Sequence, residues 1–200
     1  MGRSGRILNG MTEDILWHRL RYFMSPQWDV YLSLRDHLRG QPSVLEVGFG
    51  SAAGSMLYAD KVGHLTGIEV NRDAVEFAKA MYPLENVDWI HADILDFASP
   101  TKFSAILAIE VLEHIPDWLD AVQSIRDLLV DPGGEFIMSA RNANADLRRA
   151  KSQHERELIA EDIVSALEEF FPNVTIYDYT LARIQDRDTR VTPILAVCRT

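Results

Sequence analysis

The sequence predicts a doubly wound α/β fold, in which helices cover both faces of a mostly parallel sheet. From residue 43 onward, short apolar runs alternate with segments of helical periodicity, as expected for strand–helix–strand units. The run FSAILAIE is almost wholly apolar, which is typical of a strand buried on both faces. The last two apolar runs have no helical segment between them, so one of the two closing strands is expected to run antiparallel.

Seven runs are predicted to form strands. In chain order they are SVLEVGFG, HLTGIEV, VDWIHAD, FSAILAIE, EFIMSA, NVTIYDYTL and TPILAVCR. Turn residues bound them: Gly40 and Pro42 precede the first strand, and the turn DPGG precedes the fifth. Helices are predicted to begin near Ser51, after the cap residue Asn71 and at Asp117, and a last helix is predicted to end near residue 170.

Two helices are predicted before the first strand. Thr12 can cap one of them, and the other should bury Tyr31, Leu32 and Leu38 on one side. In the helix after FSAILAIE, the positions expected to face the core are Leu119, Val122, Ile125 and Leu129. We expect a single domain over residues 1–200, with residues 1–10 flexible, residues 11–40 forming a helical cap and residues 41–200 forming the core.

Composition excludes several classes of protein. The chain has 200 residues, 47% of them hydrophobic, and a net charge of -10, so it is neither a disordered tail nor a natural binder of phosphate backbones. Cys198 is the only cysteine, which suits a reducing compartment. No apolar run is long enough for a membrane helix, and the N-terminus lacks the apolar centre of a signal peptide. We expect a cytoplasmic protein with no membrane partner.

The first strand ends in a glycine loop, VLEVGFGSAAGS. Gly48 and Gly50 permit a tight turn and a close approach of the backbone to a ligand. The spacing to Ala53 satisfies the loose dinucleotide fingerprint, and Glu69 ends the second strand where a ribose-binding acid is expected. NAD and S-adenosylmethionine both fit that pattern. Glu46 separates them, because an acid beside the loop repels a pyrophosphate but suits a ligand that carries sulfonium and ammonium groups.

The stretch EVLEHIPD follows the fourth strand and places Glu110, Glu113 and His114 at the carboxyl end of the sheet. Open parallel sheets bind their ligands at that edge. Three roles are open for the cluster. His114 is the favoured general base, because an unperturbed imidazole titrates near neutrality. The three side chains could instead hold a divalent cation, or they could cap the strand, start the next helix and pack over a cofactor.

Together, these motifs resemble those of the class I S-adenosylmethionine-dependent methyltransferases. The resemblance covers roughly residues 43–139 and is carried by VLEVGFG, GIEV, HADIL, AIEVLEHIPD and LLVDPGGEFIMS, in the order of that family. It implies a Rossmann-like sheet of seven strands with the last strand antiparallel. The sequence departs from the family pattern at Ala52, where a third glycine is usual, and at Ser104, where the family has Phe-Asp.

The resemblance also implies which residues bind S-adenosylmethionine. Its methionine part would lie against Glu46, Gly48, Phe49, Gly50 and Glu110. Its ribose and adenine would be bound by Glu69, Val70, Asp93 and Ile94. Of the three roles open to the EVLEH cluster, the catalytic one would make His114, Glu110 and Glu113 the catalytic residues.

EVLEH is similar to the same segment of ubiquinone-pathway O-methyltransferases and of the Hen1-type small-RNA 2′-O-methyltransferases. In the latter, and in some of the former, the cluster binds metal. The Hen1-type enzymes take a further histidine from downstream, for which His154 is the candidate here. The preferred assignment has no metal, and Glu110, Glu113, His114 and His154 are the alternative ligand set.

The sequence therefore favours methyl transfer to a small-molecule or saccharide acceptor, most simply at oxygen. A Hen1-type RNA enzyme is the first alternative, and the net charge of -10 argues against it. A methyltransferase-like partner protein that binds the cofactor without turnover is the second. An NAD oxidoreductase is the third, and both Glu46 and EVLEH disfavour it. The acceptor and the oligomeric state are not specified by these motifs.

Overall fold

The computed structural model describes residues 26–141, 160–185 and 193–200. Its strands are β1 (Val44–Val47), β2 (Leu65–Glu69), β3 (Val87–His91), β4 (Ala105–Ile109), β5 (Glu135–Ala140), β6 (Asn173–Tyr177) and β7 (Ile194–Arg199). Its α-helices are α1 (Pro26–His37), α2 (Arg72–Met81), α3 (Trp118–Leu128) and α4 (Ala160–Leu167). The seven predicted strands are confirmed.

The strands form one sheet in the order β3-β2-β1-β4-β5-β7-β6. The pairs among β1 to β5 are parallel, and β7 pairs antiparallel with both β5 and β6. The prediction of a mostly parallel sheet with an antiparallel last strand is confirmed. The order reverses between β1 and β4, and this switch point is where ligands of open α/β sheets bind.

Helices pack on both faces of the sheet, because the central strands are apolar on both sides. All residues of β1, β4 and β5 are buried. On one face α3 and α4 bury their apolar sides, including Ile125 and Ile163, and on the other α1 and α2 bury theirs, including Leu34 and Val75. None of the helices in the described ranges is long and apolar enough to cross a bilayer.

The helix predicted to begin near Ser51 is not present. The chain forms two 3-10 turns there instead, Ser55–Leu57 and Ala59–Lys61. Ala52 has a φ of 57°, in the left-handed region, so a right-handed helix cannot run through it. The glycine loop therefore turns back over the sheet before the chain enters β2.

Two core assignments were wrong. Leu32 in α1 and Leu119 in α3 are 43% and 41% exposed, because each lies one residue from the buried face of its helix. The buried positions of α3 are Trp118, Ala121, Val122, Ile125 and Leu128, and Leu129 is buried just beyond the helix end. The helix predicted after Thr12 lies outside the described residues.

A buried acid joins the cap helix to the far end of the sheet. The carboxylate of Glu135, at the start of β5, accepts a hydrogen bond from His37 Nε2 at 2.6 Å and pairs with Arg199 Nη2 at 2.7 Å. Burial alone would raise the pKa of Glu135, but the hydrogen bond and charge of His37, together with Arg199, hold it below its usual range. This three-residue contact ties α1, β5 and β7 together, away from the carboxyl edge.

Candidate active site

The glycine loop, the end of β2 and the segment after β4 meet at one edge of the sheet. Since β1 pairs with both β2 and β4 in parallel, the carboxyl ends of all three strands lie side by side. Gly48 and Gly50 have φ values of 69° and 56°, which other residues adopt only with strain. A Cβ at Gly50 would meet nothing within 4 Å, so the backbone is open to a ligand at that point.

Gly48 also brings the glycine loop against the EVLEH segment. A Cβ placed on Gly48 would lie 2.6 Å from a methyl group of Val111. Only a glycine allows this approach, and it places the loop directly beside the residues that follow β4. The two parts of the predicted site are thus in van der Waals contact.

Glu69 connects the loop to the end of β2. Its Oε2 accepts a hydrogen bond from the Gly50 N–H at 3.0 Å, and its Oε1 accepts one from the Asn71 N–H at 2.9 Å. Asn71 in turn caps α2 through the N–H groups of Asp73 and Ala74. The carboxylate is held in a fixed orientation, and each oxygen has a further lone pair for a ligand hydroxyl.

The remaining residues assigned to the adenosine part lie along the same edge. Val70 is 62% exposed directly after Glu69. Asp93 is exposed and its Oδ1 accepts the Leu95 N–H at 3.0 Å, while Ile94 is buried. The carboxylate of Asp93 is therefore accessible to a ligand, and Ile94 is part of the core that underlies this region.

Phe49 lies beneath the loop. Its ring packs against Trp89 with the ring centroids 4.7 Å apart, and both rings cover Gly67 in the centre of β2. A side chain on Gly67 would clash with both rings, within 2.8 Å. The side chain of Phe49 thus supports the glycine loop from the core, and its backbone forms part of the loop.

The two departures from the family pattern are accommodated. Ala52 adopts the positive φ that a glycine would adopt with less strain, and it is fully buried. Ser104 forms a contact at this turn in place of the usual family residues. Its Oγ donates to the Ser43 carbonyl at 2.8 Å and accepts the Ser43 N–H at 3.3 Å. The start of β4 is therefore joined to the start of β1.

Glu46 is buried inside β1, with 1% of its surface exposed. Its carboxylate accepts hydrogen bonds from the hydroxyl of Tyr31 at 2.5 Å and from the hydroxyl of Tyr58 at 2.6 Å. Burial raises the pKa of Glu46, and the neighbouring hydroxyl groups oppose that shift. Tyr31 belongs to α1 and is itself buried, so it is part of the core, as the helical pattern predicted.

Glu110 has a left-handed backbone, with a φ of 55°. Its N–H donates to the Ser139 carbonyl at 3.0 Å, and its Oε1 accepts the Ser139 hydroxyl at 3.3 Å. Arg141 Nε lies 3.9 Å from Oε2. Burial raises the pKa of Glu110, and the charge of Arg141 opposes this. A glutamate in this conformation costs on the order of 1–3 kcal/mol, and such strain is concentrated at functional sites.

Glu113 lies in the 3-10 turn Leu112–His114 and is 3% exposed. Neither of its carboxylate oxygens has a hydrogen-bond partner among the described residues. Burial and the adjacent charge of Glu110 raise the pKa of Glu113 to about 8. This carboxyl group is therefore able to hold a proton at neutral pH, unlike an exposed glutamate.

His114 is exposed at the end of the same turn, so it can reach an acceptor outside the sheet. His154, the fourth residue of the alternative metal set, lies outside the described residues. In the described part of the chain, no three His, Cys, Asp or Glu side chains are placed to hold a metal ion together.

Sequence reasoning missed three side chains that line this region: Tyr58, Ser139 and Arg141. It placed Tyr31 on the buried side of its helix but did not predict the contact with Glu46. Ser139 and Arg141 follow from the topology, because β5 pairs with β4 and also ends at the carboxyl edge. Nothing in the local sequence indicates that the two tyrosines meet at Glu46, since they lie 27 residues apart on different elements.

The residues at this edge fit S-adenosylmethionine better than a dinucleotide. The open backbone at Gly50 and the oriented carboxylate of Glu69 suit a nucleoside. The carboxylates of Glu46 and Glu110, when ionised, suit positive charge and would repel a pyrophosphate.

Residues 44–134 match the family model described as "Methyltransferase domain". The match covers a little under half of the chain, and together with the sheet topology it makes the chain similar to the S-adenosylmethionine-dependent methyltransferases of class I fold. The cofactor of that class is S-adenosylmethionine, as the resemblance implied.

Relatives agree with this assignment. The chain is 31% identical over 109 residues to a ubiquinone biosynthesis O-methyltransferase of Saccharophagus degradans, covering 52% of this chain and 45% of that protein. It is 27% identical over 168 residues to a probable S-adenosylmethionine-dependent methyltransferase of Mycolicibacterium smegmatis, covering 82% of this chain and 62% of that protein. The chain spans about half the length of the ubiquinone relatives that it matches.

The fold is also that of solved methyltransferases. The N-methyltransferase NodS of Bradyrhizobium japonicum, in complex with S-adenosylhomocysteine, superposes with a TM-score of 0.64 and 23% identity. The superposition covers 94% of this chain and 89% of NodS. At that identity the likeness concerns the fold.

Proposed function

We propose that the chain transfers the methyl group of S-adenosylmethionine to a small-molecule or saccharide acceptor, at oxygen. The observation that carries this proposal is the contact between the glycine loop and the EVLEH segment at Gly48 and Val111. It brings a nucleoside-binding loop and a cluster of titratable groups to one edge of the sheet. That arrangement is what methyl transfer needs, because the enzyme must align donor and acceptor.

The cofactor would be held by residues of three strand ends. Gly48, Phe49 and Gly50 would offer their backbone to its methionine part, with Glu46 and Glu110 as the nearby negative charges. Glu69 would accept hydrogen bonds from the ribose hydroxyls, and Val70, Asp93 and Ile94 would surround the adenine. S-adenosylmethionine supplies a methyl group that is already activated by its sulfonium.

The EVLEH residues would manage the proton of the acceptor. A hydroxyl acceptor must lose a proton as it is methylated. The exposed His114 can take that proton on its imidazole, and the buried pair of Glu110 and Glu113 stabilises the positive charge that results. Binding of a divalent cation by Glu110, Glu113 and His114 with His154 is the competing assignment.

Other parts of the proposal depend on composition. The net charge of -10 argues against a nucleic acid as the acceptor. The ubiquinone relatives are named after the biosynthesis of a small molecule, which supports a small acceptor. The cytoplasmic location, the cap at residues 11–40 and the single core at residues 41–200 stay predictions.

Calorimetric titration with S-adenosylhomocysteine tests the cofactor assignment. We expect the wild type to bind this ligand and not NADH. Glu69→Gln should weaken binding by about tenfold or more, because it disturbs the carboxylate that orients the loop. Asp88→Asn is the matched control, since Asp88 pairs with His64 at the other end of the neighbouring strand. Tight NADH binding without S-adenosylhomocysteine binding would overturn the proposal.

A further inference from the structure

Two tyrosines, Tyr31 and Tyr58, donate hydrogen bonds to Glu46, and the assignment of Glu46 to the cofactor does not by itself explain why they are there. Glu46 lies in the central strand β1, two residues before Gly48, and its side chain is inaccessible to solvent. Taking a carboxylate out of water costs several kcal/mol unless it is hydrogen-bonded or paired. The chain retains an acid at a position where an apolar residue would pack at no such cost.

No cation of the described residues pairs with Glu46. The groups that face it are the hydroxyls of Tyr31 from α1, of Ser55 and Tyr58 from the segment after the glycine loop, and the carboxylate of Glu69 from β2. Two of these hydroxyls donate strong, short hydrogen bonds, one to each carboxylate oxygen. The negative charge is therefore solvated by the protein but not neutralised by it.

An unneutralised charge in a low-dielectric interior attracts a cation bound nearby more strongly than an exposed charge does. The glycine loop begins two residues after Glu46, and the amino-acid part of the cofactor carries an ammonium group.

We propose that Tyr31 and Tyr58 are positioning residues, which hold the Glu46 carboxylate in place as the anionic partner of the cofactor's ammonium group. This inference rests on the proposed function, since it presupposes that the glycine loop binds the cofactor. Tyr31 gives the cap helix a part in cofactor binding, because its hydroxyl is the contact between α1 and this acid. The two tyrosine rings stack nearly parallel, at an interplanar angle of 6°, which keeps both hydroxyls directed at the carboxylate.

The test compares two ligands that differ only in the amino-acid part. S-adenosylhomocysteine carries the ammonium group, and 5′-methylthioadenosine has the same adenosine and thioether without it. The variants are Glu46→Gln, Tyr31→Phe and Tyr58→Phe, and the control is Tyr179→Phe, which removes a hydroxyl from an exposed tyrosine. Dissociation constants are measured by calorimetry at pH 7.5.

We expect the three variants to bind S-adenosylhomocysteine about tenfold more weakly, as expected for losing one hydrogen bond to a charged group or the charge itself. Their affinity for 5′-methylthioadenosine should stay within about twofold of the wild type, and the control should match the wild type for both ligands. Loss of affinity for both ligands in equal measure would mean that the tyrosines act only on folding and would overturn the inference. Unchanged binding of S-adenosylhomocysteine by Glu46→Gln would also overturn it.

A pH series adds a second readout. Since burial raises the pKa of Glu46 and the tyrosine hydroxyl opposes that shift, Tyr31→Phe should move the loss of S-adenosylhomocysteine affinity on acidification to higher pH. A variant profile that coincides with that of the wild type contradicts the positioning role. If the wild type binds neither ligand, the proposed function itself fails, which is distinct from failure of this inference.

Discussion

The carboxyl group of Glu113 lies beside that of Glu110, and no donor group of the described chain forms a hydrogen bond to its oxygens. Glu110, by contrast, is bonded to Ser139 and lies 3.9 Å from Arg141. Two residues of the same type, three positions apart, thus have different environments. We therefore expect the pair to hold one proton near neutral pH, on Glu113, and one negative charge, on Glu110.

Glu113 should make folding stability depend on pH. Its pKa is about 8 in the folded chain, against 4.5 for an ordinary glutamate, so the folded state binds the proton more tightly. Stability from this group is complete below about pH 4.5 and is lost as the pH rises through 8, by about 2–4 kcal/mol. Glu113→Gln should remove that part of the slope, measured by urea unfolding from pH 5 to pH 9.

The control for that experiment is Glu85→Gln, at an exposed position. It should keep the full slope of the wild type, to which Glu46 and Glu110 also contribute, because burial raises the pKa of both. A Glu113→Gln variant with the slope of the wild type would show that Glu113 is ionised in the folded protein.

His114→Gln should lower the rate of methyl transfer to a hydroxyl acceptor by about a hundredfold, because the general base is lost. Binding of S-adenosylhomocysteine should be unchanged, since the histidine lies at the exposed end of its turn. An acceptor whose hydroxyl is acidic enough to be ionised already at the assay pH should lose much less rate in the variant. The measurement is S-adenosylhomocysteine release under saturating cofactor.

His64→Gln is the matched control, because His64 pairs with Asp88 on the surface, away from the carboxyl edge. Equal rate losses for the un-ionised and the ionised acceptor in His114→Gln would argue that the histidine positions the acceptor and does not take its proton. Loss of activity with EDTA, restored by Mn²⁺, would favour the metal assignment instead.

Gly48→Ala should destabilise the protein more than Gly50→Ala. Both changes place a Cβ at a positive φ, which costs about 1–2 kcal/mol. At Gly48 the Cβ also meets Val111 at 2.6 Å, so we expect about 1–3 kcal/mol in addition. Adding Val111→Ala to Gly48→Ala should recover part of the difference in the free energy of unfolding. Equal losses for the two glycines would mean that the loop moves away from Val111 without cost.

Glu135→Gln should destabilise the chain by about 1–3 kcal/mol at pH 7, because it leaves His37 and Arg199 without their shared carboxylate. The pKa of Glu135 is lowered in the folded state, so its contribution is present above about pH 4.5 and is lost as the pH falls through the folded value. Urea unfolding at pH 7 and pH 4 measures both effects.

Asp36→Asn breaks the exposed pair with Arg39 and is the matched control, with no measurable change expected. Cofactor binding should be the same in both variants, since Glu135 lies at the amino end of β5. A change in S-adenosylhomocysteine affinity in Glu135→Gln would show that the contact of Glu135 with His37 and Arg199 also sets the position of α1 relative to the site.

The amino-acid sequence by itself determined the seven strands and the antiparallel last strand, and it predicts that the site lies at the carboxyl edge. These follow from local patterns, because apolar runs, turn residues and helix periodicity act over a few positions. The same patterns predicted an α-helix after the glycine loop and a buried Leu119, and both were wrong. In each case the outcome depends on a neighbouring element: the turn of the loop at Ala52 and the face on which α3 packs.

Only the tertiary structure decided how the acids of the site differ. Glu46, Glu110 and Glu113 look alike in the sequence, but one is bonded to two tyrosines, one to Ser139, and one has no bonded partner among the described residues. The difference arises from burial and from hydrogen-bond donors that belong to distant parts of the chain. The pKa of a carboxyl group depends on its burial and on the charges and hydrogen-bond donors near it in space, and these groups need not be near it in sequence.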